Sequence, residues 1–292
     1  MSRRDVTVPG GLYCHVWEPS ADPVGTVLAV HGITSSSRAW EPLARHLPGW
    51  RIVAPDLRGR GRSNALPGPH GMAQHADDVA AALEHLGIHH VLPVGHSMGG
   101  FVSVTLAHRH PQLMDRLVLV DGGLPLPMPE GLAPEDALQA ILGPAAQRLS
   151  MTFDSPEQYV AFWQQHPAFA TWTPDVERYV RYDLHGDEAP YRPSTSYDAM
   201  AGDYQDLVRA EGNTFLDALQ GLAVPTVFLR AERGMMDEPG GLFPADYASR
   251  WAARLPEFTV VDVPGVNHYT ITLSERGAAV VADAVLHQEV AP

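Results

Sequence analysis

From residue 25 onward the chain alternates between two textures. Short, nearly continuous apolar runs rich in β-branched residues read as buried strands: "GTVLAVHG" (25–32), "WRIVAP" opening 50–63, "HHVLPVGH" opening 89–100, and "DRLVLVDGG" (115–123). Between them lie segments whose apolar residues recur at helical spacing: "RAWEPLARHLPG" (38–49), "MAQHADDVAAALEHLG" (72–87) and "FVSVTLAHRHP" (101–111). In 72–87 the apolar positions are Val79, Leu83 and Leu86, and Gly87 supplies a helix stop. Strands that are apolar throughout and alternate with helices predict a mostly parallel sheet covered on both faces.

The alternation stops at Gly122 and returns near Gly221. Beyond that point come a strand at 224–231, a helix at 245–256, a strand at 258–265 and a helix at 274–288. The intervening hundred residues open with the Pro-rich "GGLPLPMPEGLAPED" and then carry helix-start signals. Ser155, Pro156 and Gln158 form a capping-box pattern, and Thr173-Pro174 repeats the start. The expected organisation is therefore one α/β core, residues 1–121 and 222–292, interrupted by a helical cap at 122–221. No internal repeat or low-complexity linker is visible. Eleven aromatic residues fall between Phe153 and Tyr204. Tyr159, Phe162 and Trp163 share a helical face there. Singly they read as packing for a small helical layer; together they suggest an apolar lid over a pocket.

The strongest chemical signal is "GHSMG". Gly95 and Gly99 flank Ser97, so a strand can turn sharply into a helix with the serine at the apex. The spacing alone is weak; the β-branched run before it and the Gly-Gly helix start after it make Ser97 the expected nucleophile. A serine hydroxyl needs a base. His268, in "VPGVNHYTI", follows the last strand, and loops at the carboxyl ends of parallel strands share one edge. His268 is therefore the expected base. His31 shares that edge, and His96 flanks the serine with its backbone directed away. His89, His90, His108 and His110 read as surface residues. A tetrahedral intermediate needs two backbone donors. The expected ones are the N–H groups of Met98, opening the elbow helix, and of Ile33, after "HG".

Composition narrows the classes. A formal net charge of −14 argues against nucleic acid or an anionic membrane as partner. All 20 basic residues are arginine, which excludes a Schiff-base lysine and a phosphate loop that needs one. The single cysteine, Cys14, allows no internal disulfide. "MSRRDVTVPGG" lacks the apolar core of a signal peptide, and no apolar run approaches a membrane span. A cytoplasmic protein, monomer or homo-oligomer, is expected. No metal-ligand spacing and no cofactor motif is found.

Four motifs in order, "HGITSSSRAW", "DLRGRGRS", "GHSMGG" and "GVNHY", resemble the α/β-hydrolase superfamily, in particular serine esterases and lactonases with a helical cap between strands six and seven of eight. The resemblance covers about two-thirds of the chain; the cap has no motif. It implies that Arg58, Arg60 and Arg62 shape a loop or are solvated and do no chemistry. Ser97 at the elbow, where epoxide hydrolases and haloalkane dehalogenases keep an aspartate, argues against both activities.

The third catalytic group is displaced. The family commonly places an acid three residues beyond a glycine at the end of strand seven. In "FLRAERGMMDEPGG" that alignment puts Gly234 in the acid position. Asp121, ending strand six, is the leading replacement, since some relatives keep their acid there. Asp237 is the alternative, and Glu232 a third. The resemblance implies hydrolysis of an apolar carboxylic ester or lactone through an acyl-enzyme. Carbon–carbon hydrolysis, perhydrolysis and a non-catalytic small-molecule sensor remain open. Trp163, Tyr159, Phe162, Met235 and Met236 are the expected substrate contacts.

Overall fold

The computed structural model describes residues 1–127, 143, 145–208 and 214–287. Its strands in chain order are β1 (Ser2–Thr7), β2 (Tyr13–Glu18), β3 (Thr26–Val30), β4 (Arg51–Asp56), β5 (Leu92–His96), β6 (Leu117–Val120), β7 (Leu184–His185), β8 (Arg192–Pro193), β9 (Thr226–Arg233) and β10 (Phe258–Asn267). Eight of these form one sheet in the order β1-β2-β4-β3-β5-β6-β9-β10, while β7 and β8 pair separately. Every pairing from β4 to β10 is parallel; β2 runs antiparallel to both β1 and β4. The fold is that of an α/β hydrolase. The two antiparallel strands at one edge are not in the alternating pattern. β1 is largely exposed and carries three charged residues in six, so its sequence shows no strand face.

Helices cover both faces. On one side α2 (Met72–His85) and α3 (Met98–Arg109) pack with Leu28, Leu119 and Phe228 of the sheet. On the other, α1 (Glu41–His46) packs with Val94, Val118 and Leu229. The central strands are apolar in both directions for this reason. A fully buried side chain such as Leu119 contributes on the order of 2 kcal/mol relative to exposure.

Between β6 and β9 lie α4 (Pro156–Gln164), α5 (Pro174–Tyr182), α6 (Tyr197–Val208) and α7 (Thr214–Gln220). The two expected caps form: Ser155 Oγ accepts from Gln158 N at 3.1 Å, and Thr173 Oγ1 from Val176 N at 3.3 Å. The Gln158 side chain closes the turn on Asp154 N (2.7 Å). The Pro-rich opening of this insertion passes outside the described residues after 127. α4 and α5 make their own apolar cluster with Tyr159, Trp163, Phe169 and Tyr179. Tyr179 Oη donates to Ser35 Oγ (3.1 Å) and Tyr182 Oη to Asp56 Oδ2 (2.6 Å), tying this cluster to the sheet edge. α7 lies within the range expected for the cap, yet it packs on α3, with the Phe215 and Phe101 rings 4.7 Å apart. After β9 come α8 (Ala245–Ala252), and after β10 the short α9 (Thr270–Leu273) and α10 (Glu275–Leu286). The C-terminal helix was expected to reach Gln288, which lies outside the described residues.

Candidate active site

Parallel strands end at one edge of a sheet, and there β3, β5, β6 and β10 deliver Ile33, Ser97, Asp121 and His268. The turn from β5 into α3 is possible only with glycine on both sides. A Cβ on Gly95 would overlap Gly99 O, and one on Gly99 would overlap Val30 O. Ser97 takes φ 53°, ψ −123°, a conformation that costs about 1–3 kcal/mol for a non-glycine residue. Surrounding packing must impose it, and it lifts the serine side chain out of the strand–helix turn.

His268 Nδ1 lies 2.7 Å from Asp121 Oδ2, with both side chains almost wholly buried. The other carboxylate oxygen accepts from Ala231 N at 3.1 Å. Asp121 itself sits at φ 46°, a left-handed conformation that aspartate tolerates. Nδ1 is therefore the protonated nitrogen in the neutral ring, which leaves Nε2 as the basic one. Nε2 has no hydrogen-bond partner among the described residues.

The neighbouring acids are engaged elsewhere. Asp237 Oδ1 accepts from Asn267 Nδ2 (3.0 Å) and pairs with Arg233 (2.9 Å). Glu232 Oε2 accepts from Gly265 N at 2.6 Å. Gly234 stands in the aligned acid position, and a Cβ there would meet only the mobile carboxyl end of the exposed Glu238.

The other two histidines at this edge are also committed. His31 Nδ1 donates to Gly32 O (2.8 Å) while its Nε2 accepts from Leu57 N (3.0 Å). Burial pushes its pKa to about 3, so this neutral tautomer persists. His96 Nε2 donates to His268 O (2.8 Å), and burial, with His268 beside it, holds its pKa well below the ordinary value. Its ring lies 4.7 Å from that of His268 and braces it. Cys14 is buried beneath the sheet edge, and burial raises its thiol to about 12, away from thiolate chemistry.

Ser97, His96 and His268 line an inner cavity of about 720 Å³ including its mouth. Ile33 and Met98 are in its wall, and neither N–H has a partner among the described residues. The rest is mostly apolar, with Phe101, Leu126, Leu207, Met235, Leu242 and Leu273. An outer cavity of about 1390 Å³, again with its mouth, shares Met235, Leu242 and Tyr269 with the inner one.

The expected substrate contacts divide between these spaces. Met235 lines both, whereas Phe162, Trp163 and Met236 line only the outer cavity. Tyr159 lines neither and is corrected to a core residue. It has no exposed surface, and its hydroxyl bonds Asp183 and Arg148 inside the insertion. The insertion side chains at the inner cavity are instead Leu126, Tyr179, Tyr204 and Leu207. Sequence reasoning missed them, although Met200, Asp203, Tyr204 and Leu207 fall at i, i+3, i+4, i+7 on α6, a usable signal. Among the described residues no group of three His, Cys, Asp or Glu could hold a metal ion, and no helix is long and apolar enough to cross a membrane.

Known proteins are similar to the chain over most of its length. The chain is 29% identical over 267 residues to 2-(acetamidomethylene)succinate hydrolase of Mesorhizobium japonicum, covering 91% of this chain and 88% of that protein. It is 27% identical over 224 residues to the bifunctional esterase/perhydrolase DCH of Acinetobacter calcoaceticus, covering 74% and 76%. A crystal structure of E-2-(acetamidomethylene)succinate hydrolase superposes with a TM-score of 0.74 at 25% identity, covering 97% of each chain. Residues 25–271 match the family model described as alpha/beta hydrolase fold. With a serine at the sharp turn from β5 into α3, a carboxylate-bound histidine and a family match over most of its length, the chain belongs to the α/β-hydrolase family.

Proposed function

We propose that this hydrolase cleaves carboxylic esters or lactones of apolar acyl groups through an acyl-enzyme on Ser97. One observation carries the reading: His268, held at Nδ1 by Asp121, opens into the same apolar cavity as a serine in a strained elbow. In the first half-reaction Ser97 Oγ attacks the carbonyl carbon and its proton passes to His268 Nε2. Asp121 stabilises the imidazolium. The carbonyl oxygen, now an anion, accepts from the Ile33 and Met98 N–H groups; each such donor is worth ~10²–10³ in rate. The tetrahedral species collapses, and the leaving alkoxide takes the proton from His268. Water then attacks the acyl-enzyme by the same route, releasing the acid and restoring Ser97.

The helices between β6 and β9 act in this reading as a lid. Tyr179, Tyr204 and Leu207 close the inner cavity, and the wider outer cavity receives the substrate. The oily lining favours an apolar acyl chain over a charged one. The names of the two relatives above support hydrolytic chemistry of acyl or acyl-like groups.

The test is a panel of p-nitrophenyl esters from acetate to octanoate, with γ- and δ-lactones and a β-diketone, against wild type and Ser97→Ala. Turnover should peak at medium chain length and fall at least ~10³-fold in Ser97→Ala. Mass spectrometry of the wild type during turnover should show the acyl adduct. Equal rates for the two proteins, or β-diketone cleavage faster than that of every ester, would overturn the proposal. Adding hydrogen peroxide as the second nucleophile measures perhydrolysis on the same enzyme.

A further inference from the structure

Arg60, the middle arginine of "DLRGRGRS", is fully buried, an expensive place for a cation. Its guanidinium is spent on a specific set of partners. Nε donates to Ile33 O (2.9 Å), Nη1 donates to Arg58 O (2.8 Å) and pairs with Asp203 (2.5 Å), and Nη2 lies 4.0 Å from Met98 Sδ. Asp203 is equally buried, on α6 of the insertion, and also accepts from Gly71 N (2.6 Å) and His75 Nε2 (3.0 Å). The adjoining residues of that helix, Tyr204 and Leu207, line the inner cavity.

Two features make this more than internal packing. First, Arg60 hydrogen-bonds Ile33 O and reaches Met98 Sδ, and no other arginine among the described residues hydrogen-bonds either residue. Second, the carbonyls on either side of the Ile33 backbone are both anchored. His31 holds Gly32 O, in the same peptide as the Ile33 N–H, and Arg60 holds Ile33 O, in the next. A peptide N–H points opposite to its own carbonyl, so these anchors direct the Ile33 N–H. An apolar pair of the same volume would fill the space at lower desolvation cost; it could not hold Ile33 O.

We infer that Arg60 is a positioning residue that sets the Ile33 amide and packs on the Met98 side chain, and that Asp203 makes its position depend on the seating of the insertion. This rests on the serine-hydrolase reading above. The insertion then does two things with one helix: its cavity face shapes the substrate space, and its buried carboxylate steadies the groups that meet the transition state.

The experiment compares Arg60→Met, Asp203→Asn and the double variant, using the best ester of the panel and n-butylboronic acid as a tetrahedral mimic. Arg60→Met leaves a buried carboxylate uncompensated and should lower Tm; the double variant should recover most of that loss. Asn at 203 keeps the acceptor for Gly71 N. The double variant should nevertheless stay ~10–100-fold low in kcat, with KM within about twofold of wild type and boronate affinity reduced in parallel. Asp203→Asn alone should show a smaller fall in kcat, again without a change in KM. Recovery of wild-type kcat together with Tm in the double variant overturns the inference and leaves a structural ion pair. Should Arg60→Met and the double variant fail to fold, Asp203→Asn decides: unchanged kcat and boronate affinity overturn it. Turnover that survives Ser97→Ala overturns the serine-hydrolase reading, and this inference with it, whereas normal kcat in a stable Arg60 variant removes only the role of Arg60.

Discussion

β6 and β9 lie side by side, and the segments that follow them both bring a carboxylate to the histidine loop, with different results. β6 stops at Val120, opposite Leu229 of β9. Asp121 continues the ladder by one bond, its N–H donating to Leu229 O (2.8 Å), and then turns its side chain to His268. Its second oxygen is fixed by the Ala231 N–H of the longer neighbour. β9 runs on to Arg233, and its acid, Asp237, comes four residues later in a loop. That side chain is one-third exposed, paired with Arg233, and reaches Asn267 rather than His268. Asp121 orients the imidazole with one oxygen while a strand amide fixes the other. The stagger between two adjacent strands supplies that lock to Asp121 and denies it to Asp237. One carboxylate holds the His268 ring; the other braces the loop that carries it.

The sharpest way to break this contrast is to neutralise each acid in turn. Asp121→Asn keeps the shape but can donate to Nδ1, favouring the tautomer whose proton sits on Nε2, where the base is needed. A loss of ~10⁴ in kcat is expected, as in serine triads generally. Asp237→Asn should stay within ~5-fold of wild type. Steady-state kinetics on the two purified variants, with circular dichroism to verify folding, decides it. Comparable losses in both would mean that Asp237 also serves the imidazole.

The core of the molecule was legible because parallel strands bury both faces, so "LVLV" and "TVLAV" leave little ambiguity about what they become. That Ser97 and His268 meet at one sheet edge was legible, because their positions follow from strand order. The carboxylate at His268 was only partly so. Gly234 showed where it was missing, but the choice between Asp121 and Asp237 depends on how far β6 and β9 each extend, and end positions are set by tertiary pairing. The edge strands β1 and β2 carry no alternating signal in β1 and a mixed one in β2, with Tyr13, His15 and Trp17 among their residues. The insertion between β6 and β9 was least legible. Its aromatics at Tyr159, Phe162 and Trp163 read as a pocket wall, yet helical periodicity reports only that a face is buried, not whether it meets a cavity or a neighbouring helix. Arg60 was passed over for a similar reason, since nothing in "GRGRS" tells a buried arginine from a solvated one.

A smaller effect tests the mechanical half of the comparison. Asn267 joins three segments: its amide donates to Asp237 and to Ala168 O of the insertion (2.9 Å), and its oxygen accepts from Tyr269 N and Thr270 N. Asn267→Ala strips these bonds from the residue before the base. Leaving the buried Ala168 carbonyl and the two amides without their partners should cost ~2 kcal/mol in denaturant unfolding. Turnover should fall ~10-fold through misplacement of His268. A variant that loses stability but keeps full kcat would show that His268 is held by Asp121 and His96 alone.

The smallest effect concerns charge. The amide of Asn267, with Arg233 beside it, holds the Asp237 carboxyl below its ordinary pKa. A carboxyl depressed in the folded state adds stability that is fully present above the unfolded value, ~3.9, and disappears as pH falls through the folded value. Wild type should therefore exceed Asp237→Asn in unfolding free energy at pH 7 by less than ~1 kcal/mol, the exposure and salt screening of the pair keeping it small. The difference should shrink below pH 4 and be weaker in 0.5 M salt. Urea titrations of both proteins from pH 7 to pH 3 measure it. A gap that persists unchanged at pH 3 would mean that Asp237 braces the loop by shape and hydrogen bonding, not by its charge, which would separate it still further from the acid on β6.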